Sequence, residues 1–191
     1  MEKINTITSG AIPLPIDHID TDQIIPARFL KATSREGFGE NLFRDWRFNG
    51  EEKNESFVLN DERFDGKILV AGHNFGCGSS REHAAWAIHD YGFRAVISSE
   101  FADIFKGNAM NNGLLPIQVS AEYLQDLTQS ILDNPQTEVQ IDLKEQTVTF
   151  NEKTFTFQID AFKKRCLMDG KVEFDYLIDM LPEIATYEKN R

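Results

Sequence analysis

Short apolar runs alternate with helical patterns through the middle of the chain. Three continuous runs lie at residues 68 to 71, 94 to 98 and 114 to 119, and helical spacing covers residues 80 to 91 and 101 to 110 between them. This alternation predicts a βαβαβ unit. Because the runs carry Val, Ile and Leu without regular polar alternation, we expect parallel strands that are covered on both faces and joined by right-handed crossovers.

The sequence after this unit has a different pattern. A helix candidate at residues 121 to 132 ends before the break at Asn134-Pro135. Apolar and polar residues then alternate at 139 to 143, 148 to 150 and 155 to 157, which predicts antiparallel strands with one face in water. The tail from 161 to 181 has a helical pattern.

The sequence before the unit is irregular. Residues 1 to 66 hold one alternating strand candidate, at 6 to 12, and a charged run at 51 to 55 that predicts an exposed loop. We find no repeat and no clear interdomain linker. We therefore expect a single domain over 1–191, with an irregular N-terminal part (1–66) followed by the βαβαβ core, the antiparallel strands and the C-terminal helices (67–191).

Composition and charge narrow the function. The chain has 191 residues, of which 41% are hydrophobic, so it can bury a core. The net charge of -11 disfavours nucleic acid and anionic membrane as partners, because both would repel this surface. The N-terminus lacks a signal-peptide pattern and no apolar stretch could span a bilayer, so we expect a cytoplasmic protein. Two cysteines, Cys77 and Cys166, form neither a disulfide framework nor a zinc pattern.

The most informative stretch is AGHNFGCGSSREHAAWAI, residues 71 to 88, which runs from a predicted strand through a glycine loop into a predicted helix. Gly72, Gly76 and Gly78 would let a ligand approach the main chain, and we expect amides there to face that ligand. The helix start is suited to an anion, because its first N–H groups are unpaired and the helix dipole is positive there.

Two interpretations of the residues at this helix start remain open. Ser79 to Glu82 reads S-S-R-E, which matches a capping box with Ser79 as the N-cap. Arg81, however, is a cation in the first turn, where it opposes the helix dipole unless an anion binds. Because arginine holds a carboxylate with two parallel hydrogen bonds, Ser79, the helix start and Arg81 together indicate a carboxylate site with a proton carrier.

Other chemistry has weaker support. Cys77 beside the helix start could be a thiolate nucleophile with His73 or His83 as base, but a small residue that fills the loop is the favoured explanation. Asp17, Asp20 and Asp22 crowd one loop, but they lack a calcium-loop pattern and are typical of turns and N-caps. The four histidines lack zinc spacing. We therefore predict no metal site in this chain.

Several long motifs, taken together, identify a family. The chain resembles the small subunits of bacterial 3-isopropylmalate dehydratase, which are similar to the swivelling C-terminal domain of aconitase. The matching segments, in order, are DTDQIIPARFL at 20 to 30, GFGENLFRDWRF at 37 to 48, NFGCGSSREHAAWAI at 74 to 88, FADIFKGNAMNNGLLP at 101 to 116 and IDAFKKRCLMDG at 159 to 170.

The resemblance implies a fold, a partner and a reaction. The fold is α/β, a three-layer β/β/α swivelling domain with a central, mainly parallel sheet and additional antiparallel strands. The partner is a large subunit that carries a 4Fe-4S cluster, so that this chain binds no cofactor itself. The two subunits together would isomerise 2-isopropylmalate, a dicarboxylate, to 3-isopropylmalate by dehydration and rehydration in leucine biosynthesis. Two thiolates in this chain are too few for such a cluster.

The resemblance also implies roles for single residues. Ser79 matches the catalytic, proton-abstracting serine, and Ser80 and Arg81 match binders of the substrate carboxylate. The expected active-site cleft is completed by five residues, Asp20, Asp22, Gly76, Cys77 and Gly78. Residues 28 to 33 fall on the loop associated with substrate choice, and the expected substrate contacts within it are Arg28, Phe29, Leu30 and Lys31.

Two alternatives stay open at this point. A related hydro-lyase, such as a homoaconitase or a methylmalate-type dehydratase, would use the same carboxylate site with a different side-chain pocket. A non-catalytic stabilising module would not need the Ser79 hydroxyl at all. Phe29 and Leu30 are equally open, since they could line a pocket for the branched alkyl group or simply anchor a turn in the core.

Overall fold

The structure is a computed structural model that describes residues 1–31, 35 and 37–189. Its strands are β1 (Thr6–Ser9), β2 (Ala11–Leu14), β3 (Phe48–Asn49), β4 (Glu52–Lys53), β5 (Ile68–Ala71), β6 (Ala95–Ser98), β7 (Leu115–Gln118), β8 (Val139–Asp142), β9 (Thr147–Phe150) and β10 (Lys153–Thr156). Its α-helices are α1 (Thr21–Ile24), α2 (Arg44–Arg47), α3 (Glu82–Tyr91), α4 (Asp103–Asn111), α5 (Ala121–Asp133), α6 (Ala161–Asp169), α7 (Glu173–Asp179) and α8 (Leu181–Lys189). Short 3-10 turns lie at Ala27–Phe29, Phe38–Asn41 and Val58–Asn60.

A four-stranded parallel sheet forms the centre, in the order β2-β5-β6-β7. Leu69 pairs with Ile12 on one side and with Val96 on the other, and all three residues are buried. Continuous apolar runs therefore form strands that are covered on both faces, as the pattern predicts. The predicted βαβαβ unit is confirmed as β5-α3-β6-α4-β7.

A second, antiparallel sheet has the order β1-β8-β9-β10. In β8, Val139 and Ile141 are buried while Gln140 is exposed, so the alternating pattern is that of a sheet with one wet face. Tyr123 on α5 reaches this sheet and its hydroxyl donates to Val148 O at 2.8 Å. One hydrophobic core includes residues of both sheets.

The single strand predicted at residues 6 to 12 is wrong. The chain changes sheets at Gly10, so that β1 pairs with β8 in the antiparallel sheet and β2 pairs with β5 in the parallel sheet. A Cβ at Gly10 would lie 2.3 Å from Asp65 O, a contact that no side chain can make. Glycine at this position therefore allows the chain to cross from one sheet to the other.

The helical tail predicted from residue 161 onward consists of three helices and continues past residue 181 to Lys189. Gly170 ends α6 in the left-handed conformation, with φ of 70°, and its amide together with that of Lys171 closes the helix end. The chain then turns into α7 and α8. No helix of the described residues is both long enough and apolar enough to cross a membrane. The predicted class is confirmed, with a central parallel sheet, an antiparallel sheet and covering helices.

Candidate functional site

The candidate site lies where β2 and β5, neighbours in the parallel sheet, both end. The segments that follow these strands remain side by side beyond the sheet. The amide of His18 donates to His73 O at 2.7 Å, the amide of Gly76 donates to Ile19 O at 2.8 Å, and the amide of Thr21 donates to Cys77 O at 2.9 Å. The acidic DTD motif and the glycine loop are thereby brought together, although 55 or more residues separate them in the chain.

Ser79 is held through its backbone, which leaves its side chain available. The hydroxyl of Thr21, a residue only 2% exposed, donates to Ser79 O at 2.9 Å. Ser79 and Ser80 are both exposed, and among the described residues the Ser79 hydroxyl makes no hydrogen bond. The serine is thus fixed in place while its Oγ faces solvent.

The predicted capping box is wrong. Helix α3 begins at Glu82, its N-cap is Arg81 in an extended conformation, and no side chain caps it. Thr21 holds the strand-like loop at Cys77 and Ser79, so the chain stays extended past Ser79 and the helix starts two residues later than a Ser79 cap requires. The Ser79 hydroxyl therefore has no structural use at the helix end.

Arg81 brings a positive charge to this uncapped helix start. Its side chain is 16% exposed and forms an ion pair with Asp22 of α1. The contact joins Nη1 to Oδ1 of Asp22 and uses only part of the guanidinium, which carries five N–H donors. A guanidinium with spare donors beside the free amides of a helix start has the chemistry that suits a carboxylate.

The three acidic residues of the preceding loop have separate contacts. Asp20 caps α1, because its Oδ1 accepts from Gln23 N at 2.8 Å while Gln23 Oε1 accepts from Asp20 N at 2.8 Å. Asp17 Oδ1 accepts from His73 N at 2.7 Å, and Asp22 pairs with Arg81. The interpretation of Asp20 as an N-cap is confirmed. The described residues contain no cluster of three or more His, Cys, Asp or Glu suited to a metal ion.

The surroundings of Cys77 disfavour the thiolate form of its side chain. Burial, and then the nearby Asp20 carboxylate, raise the pKa of Cys77 above its usual value, whereas a nucleophilic cysteine needs a lowered pKa. Its Sγ donates to His18 O at 3.4 Å. The alternative of a thiolate nucleophile is therefore not supported, and Cys77 fills the loop.

The glycines of the loop serve packing more than ligand binding. Gly76 has φ of 76° and a Cβ there would lie 2.3 Å from the Phe105 ring, while Gly78 has φ of 86°. The amide of Gly76 is used by Ile19 O, and that of Gly72 donates to Leu14 O at 3.2 Å. The expectation that these amides face a ligand is wrong for Gly72 and Gly76, because both amides already donate hydrogen bonds to carbonyl oxygens of the neighbouring segment.

Known proteins are similar to this sequence over essentially its full length. Residues 1–122 match the family model described as the aconitase C-terminal domain. The chain belongs to the aconitase C-terminal domain family. It is 54% identical to the 3-isopropylmalate dehydratase small subunit of Christiangramia forsetii, over 100% of this chain and 95% of that protein. It is 52% identical to the protein of the same name in Cytophaga hutchinsonii, over 99% of this chain and 96% of that protein.

A solved structure extends this likeness to three dimensions. The crystal structure of 3-isopropylmalate dehydratase (leuD) from Methanocaldococcus jannaschii superposes with a TM-score of 0.69 and 32% identity, over 96% of this chain and 99% of that one. The resemblance inferred from the motifs is therefore confirmed, and so is the fold it implied. The family match covers the candidate site, because every residue of the DTD motif, the glycine loop and the start of α3 lies within 1–122.

The residues expected to choose the substrate lie on the turn after α1 in this aconitase-family fold. Arg28 is turned toward Asp45 of α2, with Nη1 donating to Oδ2 at 3.0 Å, and this carboxylate raises the pKa of the exposed guanidinium. Phe29 and Leu30 are half-buried against the core, and Lys31 is exposed. Ala32 and Thr33, the end of the expected loop, lie outside the described residues. Both interpretations of Phe29 and Leu30 therefore stay open.

A polar network beside the site was not predicted from the sequence. Asn112, which is 6% exposed, donates through Nδ2 to Glu82 Oε1 at 2.9 Å and accepts from Arg35 Nη2 at 2.6 Å. The Arg35 guanidinium also lies 4.3 Å over the Trp86 ring. Asn112 thus holds the first residue of α3, while Thr21 holds the loop that precedes this helix. Their partners are 30 to 77 residues away in the chain, so no local motif could reveal them.

Proposed function

We propose that this chain is the small subunit of a 3-isopropylmalate dehydratase, a hydro-lyase that converts 2-isopropylmalate to 3-isopropylmalate together with a large subunit. The relatives that match at over 50% identity carry this name. The observation that carries the proposal is the arrangement of Ser79 and Arg81, in which a free hydroxyl lies two residues before a guanidinium at an uncapped helix start.

Ser79 is proposed as the residue that takes and returns the proton at the carbon being deprotonated. A free serine hydroxyl is a weak base, so its negatively charged form needs stabilisation in a closed site. The start of α3 and the Arg81 guanidinium provide positive potential on the same short segment. Because Thr21 fixes the backbone of Ser79, little reorganisation is needed when the charge develops.

Ser80 and Arg81 are proposed to hold one substrate carboxylate. The contact with Asp22 involves one nitrogen of the Arg81 guanidinium, which has five N–H donors, and arginine matches the planar geometry of a carboxylate. An incoming carboxylate would share the guanidinium with Asp22, which keeps Arg81 oriented when the site is empty of substrate. We place Asp20, Cys77 and Gly78 in the wall of this cleft as supports, without a chemical role.

An iron–sulfur cluster does not fit the residues of this chain. Such a cluster takes about four thiolates, whereas this chain has Cys77 in the site loop and Cys166 buried in α6. Burial raises the pKa of both thiols, which opposes metal binding by thiolates. We therefore assign the cluster to the large subunit. The roles proposed for Ser79, Ser80 and Arg81 need no cluster ligand from this chain.

Reconstitution tests the proposed function. The purified chain is mixed with the cluster-loaded large subunit from the same organism, and formation of 3-isopropylmalate from 2-isopropylmalate is followed by chromatography. We expect turnover only when both chains are present. A panel of malates with methyl, carboxymethyl or no side chain separates this enzyme from related hydro-lyases. Preference for another malate, or full activity of the large subunit alone, would contradict the proposal.

A further inference from the structure

The last two helices expose an unusual amount of apolar surface. Six large apolar side chains on α7 and α8 are between 39% and 68% exposed, and we call them the C-terminal apolar surface: Phe174, Leu177, Ile178, Leu181, Ile184 and Tyr187. Every described residue of α8 is exposed. Soluble proteins rarely leave such a contiguous group uncovered unless it binds a partner.

Helices α7 and α8 also need packing contacts to be stable. Helix α7 has seven residues and α8 has nine, and isolated helices this short are marginal in water. Phe162 of α6 packs against Tyr176 of α7 at 5.3 Å between ring centroids, which anchors the beginning of the pair. Because α8 buries none of its residues in this chain, a second molecule is the natural source of its packing.

The charge around this surface argues against a second copy of the same chain. Residues 173 to 189 contain five acidic residues and one lysine, Lys189. In a symmetric dimer the same patch faces itself, so these carboxylates would be brought together. Like charges at an interface suppress association. The complementary partner is an apolar groove with a basic rim.

The position of the surface connects it to the site. Glu82, the first residue of α3, accepts from Asn112 Nδ2 at 2.9 Å, and the adjacent Asn111 Oδ1 accepts from Lys163 Nζ at 2.7 Å. Lys163 in turn forms an ion pair with Glu173, the first residue of α7. These polar contacts, joined through the adjacent residues Asn111 and Asn112, link the residue after Arg81 to the start of the C-terminal helices.

We propose that the C-terminal apolar surface is a docking site for the large subunit. The inference rests on the proposed function, which requires that subunit to reach the cleft beside Ser79. A partner that spans the cleft and the start of α7 covers both the incomplete site and the unpacked helices. The relatives named small subunits align over essentially all of this chain, so their matches extend through these helices.

Binding of the purified large subunit to full-length variants tests the proposal. In Leu177→Glu/Leu181→Glu, both side chains are more than half exposed and glutamate keeps the helix propensity, so the isolated chain should keep its melting temperature. We expect the dissociation constant, measured by calorimetry, to rise at least ~30-fold. Leu132→Glu on α5, where the leucine is 46% exposed, is the matched control and should bind like the wild type. Tyr187→Asp supplies a milder variant if the double variant loses stability.

The outcomes separate the docking surface from the function. Weakened binding by the C-terminal variants, with normal binding by Leu132→Glu, supports the proposal. If the wild-type complex turns over substrate and the C-terminal variants bind as tightly as the wild type, only the docking proposal is overturned. If light scattering shows a wild-type dimer that the double variant dissociates, a second copy covers the surface and the proposal is wrong. A wild-type chain that binds no large subunit overturns both proposals.

Discussion

Replacement of Ser79 by alanine should abolish turnover without weakening the fold. The structure gives the hydroxyl no hydrogen bond among the described residues and assigns the N-cap of α3 to Arg81, so its loss removes no stabilising contact. We expect the free energy of unfolding to change by less than about 0.5 kcal/mol, as at other exposed positions. Loss of a proton carrier should lower kcat by at least ~10², which is about 2.7 kcal/mol of activation free energy.

Ser120→Ala is the matched control for this experiment. Ser120 is a true N-cap, because its hydroxyl accepts from Tyr123 N at 3.2 Å at the start of α5. Removal of such a cap costs about 0.5–2 kcal/mol, which corresponds to a melting temperature lower by roughly 2–4 °C per kcal/mol in a chain of this size. Turnover by the reconstituted complex should stay unchanged.

The two variants should therefore have opposite effects in the same two assays. Initial rates of the complex are measured at saturating substrate, and melting temperatures are measured on the isolated chains. If Ser79→Ala lowers the melting temperature as much as Ser120→Ala does and keeps normal turnover, then Ser79 has a structural role and is not the proton carrier. Such a result would favour the alternative of a non-catalytic stabilising module.

Further predictions concern the surroundings of this serine. Arg81→Lys should raise KM by ~10-fold or more with a smaller change in kcat, because lysine keeps the charge but loses the paired hydrogen bonds; unchanged KM would exclude the carboxylate role. Thr21→Val removes the hydrogen bond to Ser79 O, worth about 1 kcal/mol, so kcat should fall roughly fivefold and Thr21→Ser should restore it. Leu30→Ala should cost ~1–3 kcal/mol in kcat/KM for 2-isopropylmalate and much less for unbranched malate; equal losses with a lower melting temperature would place Leu30 in the core. Burial, and then Arg94, lower the pKa of His89 below 6.5, so protons favour the unfolded chain and the melting temperature should fall as pH drops below about 6.5; His89→Gln should reduce this fall.

The parallel core was predictable because its signal is local. Strands such as β5 and β6 are buried along their whole length, and their residues are apolar except for Ser98 at the end of β6. The intervening helices carry small and apolar residues at helical spacing, for example Ala84 and Ile88 on α3. Periodicity therefore located these elements to within about two residues.

The geometry of the site was not predictable in the same way. Ser79 to Glu82 matches a local capping pattern. Tertiary packing nevertheless holds this loop extended, and part of that packing is the hydrogen bond from Thr21, which lies 58 residues earlier in the chain. Tertiary contacts of this kind override local preferences. The change of sheet at Gly10 has the same origin, because it depends on the close approach of Asp65.

The DTD motif has a physical explanation once the fold is known. Each of its three residues makes a different contact. Asp20 caps the short helix α1, Thr21 donates a hydrogen bond to the backbone of Ser79, and Asp22 forms an ion pair with Arg81. Insertion or deletion of one residue in this motif would separate the helix cap from the residues that hold the serine and the arginine. A carboxylate at the first position, a small buried hydroxyl at the second and a carboxylate at the third are thus each required by a separate contact. The motif acts as the support of the loop that carries Ser79 and Arg81, and this support does not require its own side chains to touch the reacting atoms.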